Sequence, residues 1–373
     1  MIIMAAVPTP RITIISLDVE PLSIPLREPF VIATGRIDTT RAALVRATLQ
    51  AANGQRAIGL GEAAALPPVT REDQPQLLAE IGAVAADLRG VPFDAGLGGL
   101  VERGPALGQV ARAGIEAALV DAAARLARAP LYAALGGEGV KATELLTDIT
   151  LPISDPDRMS ANARAHRRSG FDTFKVKVGR DWRADLASLR AVAAAVPDAR
   201  FRLDANAGFS ARDALALLDA ALADGLTVEC FEQPCAADDL TGMAEVAAHS
   251  SVPVVADESF RSFEDLDRLV AARAAHGVNL KLAKLGGPLT ALALAQRARA
   301  LGLKLMAGAM VETRVGLLAM AHVVAALGGV DWVDLDTAFL LAHDPFDGGW
   351  TVDGPRLRLA ADPGLGVSVR ATA

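Results

Sequence analysis

The chain has 373 residues, of which 52% are hydrophobic and 22% are charged, and this composition excludes an intrinsically disordered protein. The formal net charge is −7 and no long run of lysine or arginine occurs, so a nucleic-acid-binding protein is not expected. The two cysteines, Cys230 and Cys235, are too few for a disulfide framework and indicate a reducing compartment. No apolar run reaches the length of a membrane span, and the apolar residues 1–8 lack the basic start of a signal peptide, so we expect a cytoplasmic protein without a membrane partner.

The first part of the chain, residues 1–130, has the patterns of a small α+β domain. Strands are predicted over residues 12–22, 42–49 and 57–63, and helices over residues 74–88 and 110–128. Residues 25–36, between the first two strands, contain two prolines and a glycine, which predict a loop. The three strands are expected to form an antiparallel meander.

From about residue 143, short apolar strands alternate with alanine- and leucine-rich helical patterns. The eight predicted strands cover residues 145–151, 174–178, 201–204, 227–232, 252–257, 278–282, 304–307 and 332–336. The seven predicted helices between them cover residues 154–169, 182–195, 210–224, 237–249, 263–275, 288–300 and 316–327. This alternation predicts an α/β fold with a parallel sheet, and eight strands favour a closed barrel over an open sheet. Residues 131–342 are therefore assigned to a barrel domain, and residues 343–373 to a tail that returns to the small domain.

In a β/α barrel the active-site residues come from the C-terminal ends of the strands. Three successive predicted strands end in an acid, namely Asp204, Glu232 and Asp257, at intervals of 28 and 25 residues. Three converging carboxylates repel one another unless a hard divalent cation lies among them, so this pattern favours Mg²⁺, with Mn²⁺ as the second choice. Each acid taken alone is instead typical of a helix N-cap.

Three lysines flank these acids. Lys175 and Lys177 lie on the same face of the second predicted barrel strand, because side chains alternate along a strand. Lys281 lies on the sixth strand, on the opposite side of the barrel mouth, so Lys177 and Lys281 would place one base on each face of a planar intermediate. The alternatives are an exposed edge strand for the first two lysines and a plain salt bridge for Lys281.

Several segments together resemble the enolase superfamily, and within it the muconate-lactonizing enzyme subgroup. The resemblance rests on residues 174–179, 204–206, 232–234, 257–259 and 279–287, with the Gly61-Glu62-Ala63 turn and residues 363–367 in support. It implies a (β/α)7β modified TIM barrel with an N-terminal α+β capping domain that the C-terminal tail completes. The Asp334-Leu335-Asp336 sequence after the eighth strand resembles dipeptide epimerases of the L-Ala-D/L-Glu epimerase type.

The resemblance implies Mg²⁺-dependent epimerisation of a dipeptide at the α-carbon of its C-terminal residue. The three strand-end acids would hold Mg²⁺, as in other members of this superfamily, which combine a lysine or histidine base with Mg²⁺. Lys177 and Lys281 would remove and return the α-proton on opposite faces, through a metal-stabilised enediolate. Lys175 would contact the substrate carboxylate, and Asp334 and Asp336 would bind its free α-ammonium group.

The substrate side chain is expected to be read by the loop at residues 25–36. Family members that act on dipeptides ending in Glu typically carry an arginine there, whereas in this chain the position falls on Thr34 or Gly35, with Arg36 next to it, so an apolar second residue is expected. Further candidate substrate contacts are Thr150, Asn206 and Met310.

Two other classes of function remain open from the sequence. A muconate cycloisomerase, an o-succinylbenzoate synthase or an N-succinyl amino acid racemase would use the same metal and lysines, but none of them needs Asp334 and Asp336. A non-catalytic binding barrel would be expected to have lost a catalytic group, and none is missing. The resemblance also implies a small-molecule partner and a homo-oligomer.

Overall fold

The structure is a computed structural model that describes residues 12–33, 35–67, 69–102, 107–136 and 143–370. Thr34 and the apolar residues 1–8, which figure in the sequence predictions, lie outside these ranges. The N-terminal part is an antiparallel sheet of β1 (Thr13–Ile32), β2 (Gly35–Gln50) and β3 (Arg56–Ala65), with β2 in the centre. The helices that follow are α1 (Gln74–Leu88), α2 (Phe93–Glu102), α3 (Gln109–Leu126) and α4 (Leu131–Gly136).

The loop predicted at residues 25–36 is wrong, because β1 continues to Ile32 and pairs directly with β2. Phe30 pairs with Ile37, and a register shift lies between Pro25 and Phe30. Proline lacks the N–H that a regular ladder requires, and such an irregularity accommodates it. The Gly61-Glu62-Ala63 segment is likewise not a turn, since it lies inside β3.

Helix α3 packs closely against β3. A Cβ atom at Gly61 would lie 2.0 Å from the carbonyl oxygen of Gly114, so only glycine permits this approach. The other side of α3 contacts the barrel, because Arg112 donates to the carbonyl oxygen of Leu285 at 2.9 Å and Glu116 accepts from the backbone N–H of Leu289 at 2.7 Å. Helix α3 therefore joins the N-terminal sheet to the barrel.

The remainder of the chain forms an eight-stranded parallel sheet in sequence order, which confirms the predicted α/β barrel. A short strand, β4 (Glu144–Leu146), precedes it. The barrel strands are β5 (Ile149–Leu151), β6 (Thr173–Lys177), β7 (Arg200–Asp204), β8 (Thr227–Glu232), β9 (Val254–Ala256), β10 (Gly277–Leu280), β11 (Lys304–Ala307) and β12 (Trp332–Val333). The helices are α5 (Pro156–Arg168), α6 (Trp182–Ala195), α7 (Ala211–Ala223), α8 (Leu240–His249), α9 (Phe263–Ala272), α10 (Leu282–Leu285), α11 (Pro288–Ala300) and α12 (Arg314–Leu327).

The first and last barrel strands meet at a seam. The backbone N–H of Asp148, next to β5, donates to the carbonyl oxygen of Val333 in β12 at 3.2 Å. The strand predicted over residues 145–151 is therefore two strands, because β4 leaves the barrel before β5 begins.

The C-terminal tail consists of short strands that pack beside the barrel. They are β13 (Phe346–Gly348), β14 (Trp350–Asp353), β15 (Arg356–Leu359) and β16 (Val367–Val369). Strand β15 pairs with β4, and the backbone N–H of Leu365 donates to Asp121 of α3 at 2.7 Å. The tail thus contacts α3 of the N-terminal part. No helix within the described ranges has the length and hydropathy required to cross a membrane.

Candidate active site

Lys175 and Lys177 lie on β6, which is flanked on both sides by β5 and β7. Their relative exposures are only 1% and 7%, so the interpretation as an exposed edge strand is wrong. The alternate residues Phe174 and Val176 are also buried, as expected of a parallel strand that is covered on both faces. Parallel pairing places Lys177 beside Asp204 of β7.

Three buried acids follow in register from the next three strands, and we call Asp204, Glu232 and Asp257 the acid triad. Asp204 and Glu232 are paired residues of β7 and β8, and Asp257 directly follows β9. Gln233 links the last two strand ends, because its side-chain oxygen accepts from the backbone N–H of Asp257 at 2.8 Å. Gln233 also has a φ of 34°, a left-handed conformation that turns the chain sharply after β8.

Lys175 contacts acids from both ends of the site. Its Nζ lies 3.0 Å from Asp204 Oδ2, 2.7 Å from Glu232 Oε2 and 2.7 Å from Asp334 Oδ2. These carboxylates raise the pKa of Lys175 well above its ordinary value, although burial acts in the opposite direction. Lys175 is therefore an ammonium ion that joins the acid triad to Asp334.

Lys177 and Lys281 each donate to a different member of the acid triad. Lys177 Nζ lies 2.6 Å from Asp204 Oδ2, and Lys281 Nζ lies 2.8 Å from Asp257 Oδ2. A fourth lysine, Lys284, also contacts Asp257 and donates to its backbone oxygen at 2.6 Å. Although burial favours the neutral amine, Asp257 raises the pKa of Lys281. Asp257 therefore favours the ammonium form of Lys281, even though Lys284 contacts the same carboxylate.

The lysines also determine how the acids titrate. Burial would raise the pKa of Asp204 and of Asp257, but lysine contacts hold both below the ordinary range. The pKa of Glu232 is raised by burial and by the neighbouring Asp204. Two of the three acids are thus carboxylates at neutral pH, despite being fully buried.

The donor chemistry of the acid triad fits a hard divalent cation. All three groups offer oxygen, and they come from adjacent strand ends with relative exposures of 0–1%. Glu232 Oε2 accepts no well-directed hydrogen bond from the described residues, although Lys175 Nζ lies 2.7 Å from it. Its other oxygen accepts from the Asn279 amide at 2.7 Å, which orients the carboxylate. These residues therefore suit Mg²⁺.

A second group of acids lies at the barrel seam, and we call Asp148, Asp334 and Asp336 the seam cluster. Their carboxylate oxygens lie within 4.8 Å of one another, and all three residues are buried. Asp336 Oδ2 accepts from the backbone N–H of Thr150 at 2.6 Å. Burial and the neighbouring Asp334 raise the pKa of Asp336 to about 7, whereas Lys175 lowers that of Asp334 against the effect of burial.

One pocket brings most of the predicted site residues together. The predicted residues that line it are Lys175, Lys177, Lys281, Asp334, Asp336, Thr150, Asn206 and Met310. Its apolar lining also includes Phe30, Ile32, Leu66 and Val69. Arg36 is not among the described lining residues, because its guanidinium pairs with the exposed Asp38 at 3.1 Å.

Sequence reasoning missed four residues that contact the site. Asn279 and Lys284 lie in the recognised segment at residues 279–287, and Asn279 shares a strand face with Lys281, which was an available signal. Asp148 and its partner Arg202 had no comparable signal, because they meet only where the barrel closes. Their Oδ2 and Nη1 atoms are 2.8 Å apart.

Comparisons with known proteins cover the whole architecture. Residues 14–136 match the family described as mandelate racemase / muconate lactonizing enzyme, N-terminal domain, and residues 158–373 match the family described as enolase C-terminal domain-like. An aromatic dipeptide epimerase from Herpetosiphon aurantiacus is 37% identical over 96% of this chain and 99% of its own length. An L-Ala-D/L-Glu epimerase from Bacillus subtilis is 32% identical over 95% of this chain and 96% of its own length.

A solved structure agrees with these matches. The dipeptide epimerase from Enterococcus faecalis V583, complexed with Mg and the dipeptide L-Leu-L-Tyr, is 33% identical, with a TM-score of 0.88. The match covers 95% of this chain and 99% of that one. The chain therefore belongs to the enolase superfamily, in its mandelate racemase / muconate lactonizing enzyme group, and is an isomerase.

Proposed function

We propose that this isomerase is a dipeptide epimerase that inverts the α-carbon of the C-terminal residue. The observation that carries the proposal is that Asp334 and Asp336 line the same pocket as Lys177 and Lys281. A dipeptide is a zwitterion, and its ammonium group fits the aspartate pair while its carboxylate fits the end lined by the lysines that contact the acid triad. The substrates of a cycloisomerase and of an N-succinyl amino acid racemase have no free α-ammonium group to place beside two aspartates.

Lys177 and Lys281 are the proposed acid and base. Lys177 ends β6 and Lys281 directly follows β10, four strands away in an eight-stranded sheet, and both line the pocket. A substrate α-carbon between them has one lysine on each side. One lysine removes the proton while the other returns a proton to the opposite face, which inverts the configuration. Their carboxylate partners, Asp204 and Asp257, fix the position of each Nζ atom.

The acid triad is the proposed metal site, with Mg²⁺ preferred and Mn²⁺ as an alternative. When bound there, Mg²⁺ supplies positive charge that stabilises the negative charge developing on the substrate carboxylate. Asn279 orients Glu232, and Lys284 holds both the side chain and the backbone of Asp257. Lys175 lies within 3.0 Å of two triad acids and is the proposed contact for the substrate carboxylate.

The pocket favours an apolar second residue in the dipeptide. Phe30 and Ile32 come from the β1–β2 hairpin, and Leu66 and Val69 come from the segment before α1. The cations among the described lining residues are the three lysines already assigned, so none remains for a glutamate side chain. A relative named for aromatic dipeptides and a neighbour solved with L-Leu-L-Tyr support this assignment, whereas the Bacillus subtilis relative is named for Glu.

A dipeptide library in D₂O with Mg²⁺ tests the proposal, because epimerisation exchanges the α-proton for deuterium. We expect mass gain for dipeptides with an apolar C-terminal residue and little for Xaa-Glu. Asp336→Asn should reduce this exchange by at least about 100-fold, since it removes a charge from the ammonium site. Asp331→Asn is the matched control, because Asp331 precedes β12 and pairs with the exposed Lys304.

Three results would contradict the proposal. Exchange confined to Xaa-Glu would refute the apolar specificity. Full activity of Asp336→Asn, or faster exchange of N-succinyl amino acids than of dipeptides, would refute the assignment as a dipeptide epimerase.

A further inference from the structure

Asp148 is a fully buried acid that has no role in the function proposed above. It directly precedes β5, and its backbone N–H makes the hydrogen bond that closes the barrel seam. Its Oδ2 accepts from Arg202 at 2.8 Å, whereas its Oδ1 has no hydrogen-bond partner among the described residues. Asp336 Oδ1 is also buried and likewise finds no partner within the described ranges. Two unpaired carboxylate oxygens therefore lie within one cluster of three acids.

The cations around the seam cluster are too few to neutralise it. Lys175 pairs with Asp334 but also contacts two acids of the triad. Arg202 pairs with Asp148 but also donates to Glu229 at 2.8 Å. Thr150 offers Asp336 only neutral donors, its backbone N–H and its side-chain hydroxyl. Among the described residues, three carboxylates, with one oxygen of each within 4.8 Å of the others, thus share two directly contacting cations that are themselves shared. Lys177 and Lys281 also lower the pKa of Asp334, but neither forms an ion pair with it in the described part of the chain.

Like charges this close in a buried site cannot all be ionised, so the cluster holds a proton. The pKa values support this reasoning. Burial and Asp334 raise the pKa of Asp148, and the pKa of Asp336 is raised to about 7. A substrate ammonium group is a cation placed directly beside these acids, and it favours the ionised form of all three.

We propose that Asp148 is a positioning residue of the ammonium site, and that the seam cluster shares a proton which substrate binding releases. Asp148 is not among the described residues that line the pocket, and it acts through Asp334 and Asp336. Its charge increases the negative potential felt by the ammonium group. The inference rests on the proposed dipeptide substrate and adds a third acid to its recognition.

Calorimetric titration of the Mg²⁺-loaded enzyme tests this inference. The probe is L-alanyl-2-aminoisobutyrate, a dipeptide that has no α-proton and therefore binds without turnover. Titrations at pH 6.5 in two buffers of different ionisation enthalpy measure the protons released per ligand bound. We expect wild-type enzyme to release roughly half a proton or more, since Asp336 titrates near neutrality. The N-acetylated probe lacks the ammonium group and should release none.

Two isosteric variants separate the charge of Asp148 from the integrity of its ion pair. Asp148→Asn should weaken binding of the probe roughly tenfold and at least halve the proton release. Glu229→Gln is the matched control, because it removes a negative charge from the same Arg202 but on the side away from the seam cluster. It should leave both quantities unchanged.

The possible outcomes are distinct. Proton release that is absent in wild type, or unchanged in Asp148→Asn, would overturn the inference while leaving the proposed epimerase intact. If Glu229→Gln changed probe affinity and proton release as much as Asp148→Asn does, Asp148 would be only a structural partner of Arg202, and the inference would also be overturned. If wild-type enzyme does not bind the probe at all, the proposed function fails and the inference fails with it.

Discussion

Single replacement of Lys177 or Lys281 by alanine should abolish epimerisation, while one of the two substrate isomers should still exchange its α-proton with solvent. The loss of a general base costs about 10²–10⁴-fold in rate. Removing one partner of a buried ion pair usually destabilises the fold by about 3–5 kcal/mol, because it leaves a buried charge uncompensated. Here the loss of stability is reduced, because Asp204 still forms an ion pair with Lys175 at 3.0 Å and Asp257 still forms one with Lys284.

The assay follows the α-proton of each isomer separately by ¹H NMR in D₂O. With one lysine missing, the isomer whose α-proton faces the remaining lysine should still exchange. It should keep its configuration, because the remaining lysine returns deuterium to the face from which it took the proton. The other isomer should not exchange. The two variants should show opposite preferences.

Lys304→Ala provides the control, because Lys304 begins β11, is exposed and pairs with Asp331 at 3.0 Å. It should behave as wild type. The two-base reasoning would be refuted if either active-site variant still interconverted the isomers at a comparable rate. It would also be refuted if both variants retained exchange of the same isomer.

Three further predictions concern stability and metal binding. Burial and the neighbouring Glu62 raise the pKa of Glu312 to about 8, so this group is neutral when folded but ionised when unfolded between about pH 5 and 8. The free energy of unfolding measured with urea should therefore fall by on the order of 2–4 kcal/mol as pH rises through this range, and Glu312→Gln should flatten the dependence. Gly61→Ala should destabilise the protein by roughly 1–3 kcal/mol in thermal melts, because the added Cβ would lie 2.0 Å from a backbone oxygen of α3. Gly82→Ala is the control and should not destabilise it, because a Cβ at Gly82 would have no atom of another described segment within 4 Å. Asn279→Ala removes the amide that orients Glu232 and should weaken Mg²⁺ binding to metal-free enzyme about 10–100-fold by calorimetry, and unchanged affinity would contradict this role.

The sequence predicted those parts of the fold whose signal is local. Strand 227–232 and helix 182–195 match the structure to the residue, because apolar runs and helical periodicity are properties of short windows. The lysines and the acid triad were also identifiable, since each lies at the end of a strand and the strands repeat at regular intervals.

Features that depend on distant partners were not predictable in the same way. The antiparallel pairing of β1 and β2 was predicted, but its extension into residues 25–36 was missed, because the pairing of Phe30 with Ile37 outweighs the local preference of two prolines for a loop. Strand β4 was merged with β5 because its partner, β15, lies more than 200 residues later in the sequence. The role of Asp148 depends on the same long-range closure.

The barrel seam divides the active site into two halves of different folding character. Lys177 and Asp204 are 27 residues apart, and Lys281 and Asp257 are 24 apart, so each proposed base meets its acid through contacts of shorter range in sequence. The contacts between Lys175 and Asp334 and between Thr150 and Asp336 span 159 and 186 residues. Contacts between residues so far apart in the sequence slow folding, and closing the longer loop costs more entropy, by about 0.6 kcal/mol for each doubling of its length. Under the proposed function, local opening of the first and last strands would thus remove the ammonium site while leaving the proposed proton-transfer pairs in place, and a nascent chain would acquire that site only when its final barrel strand is added.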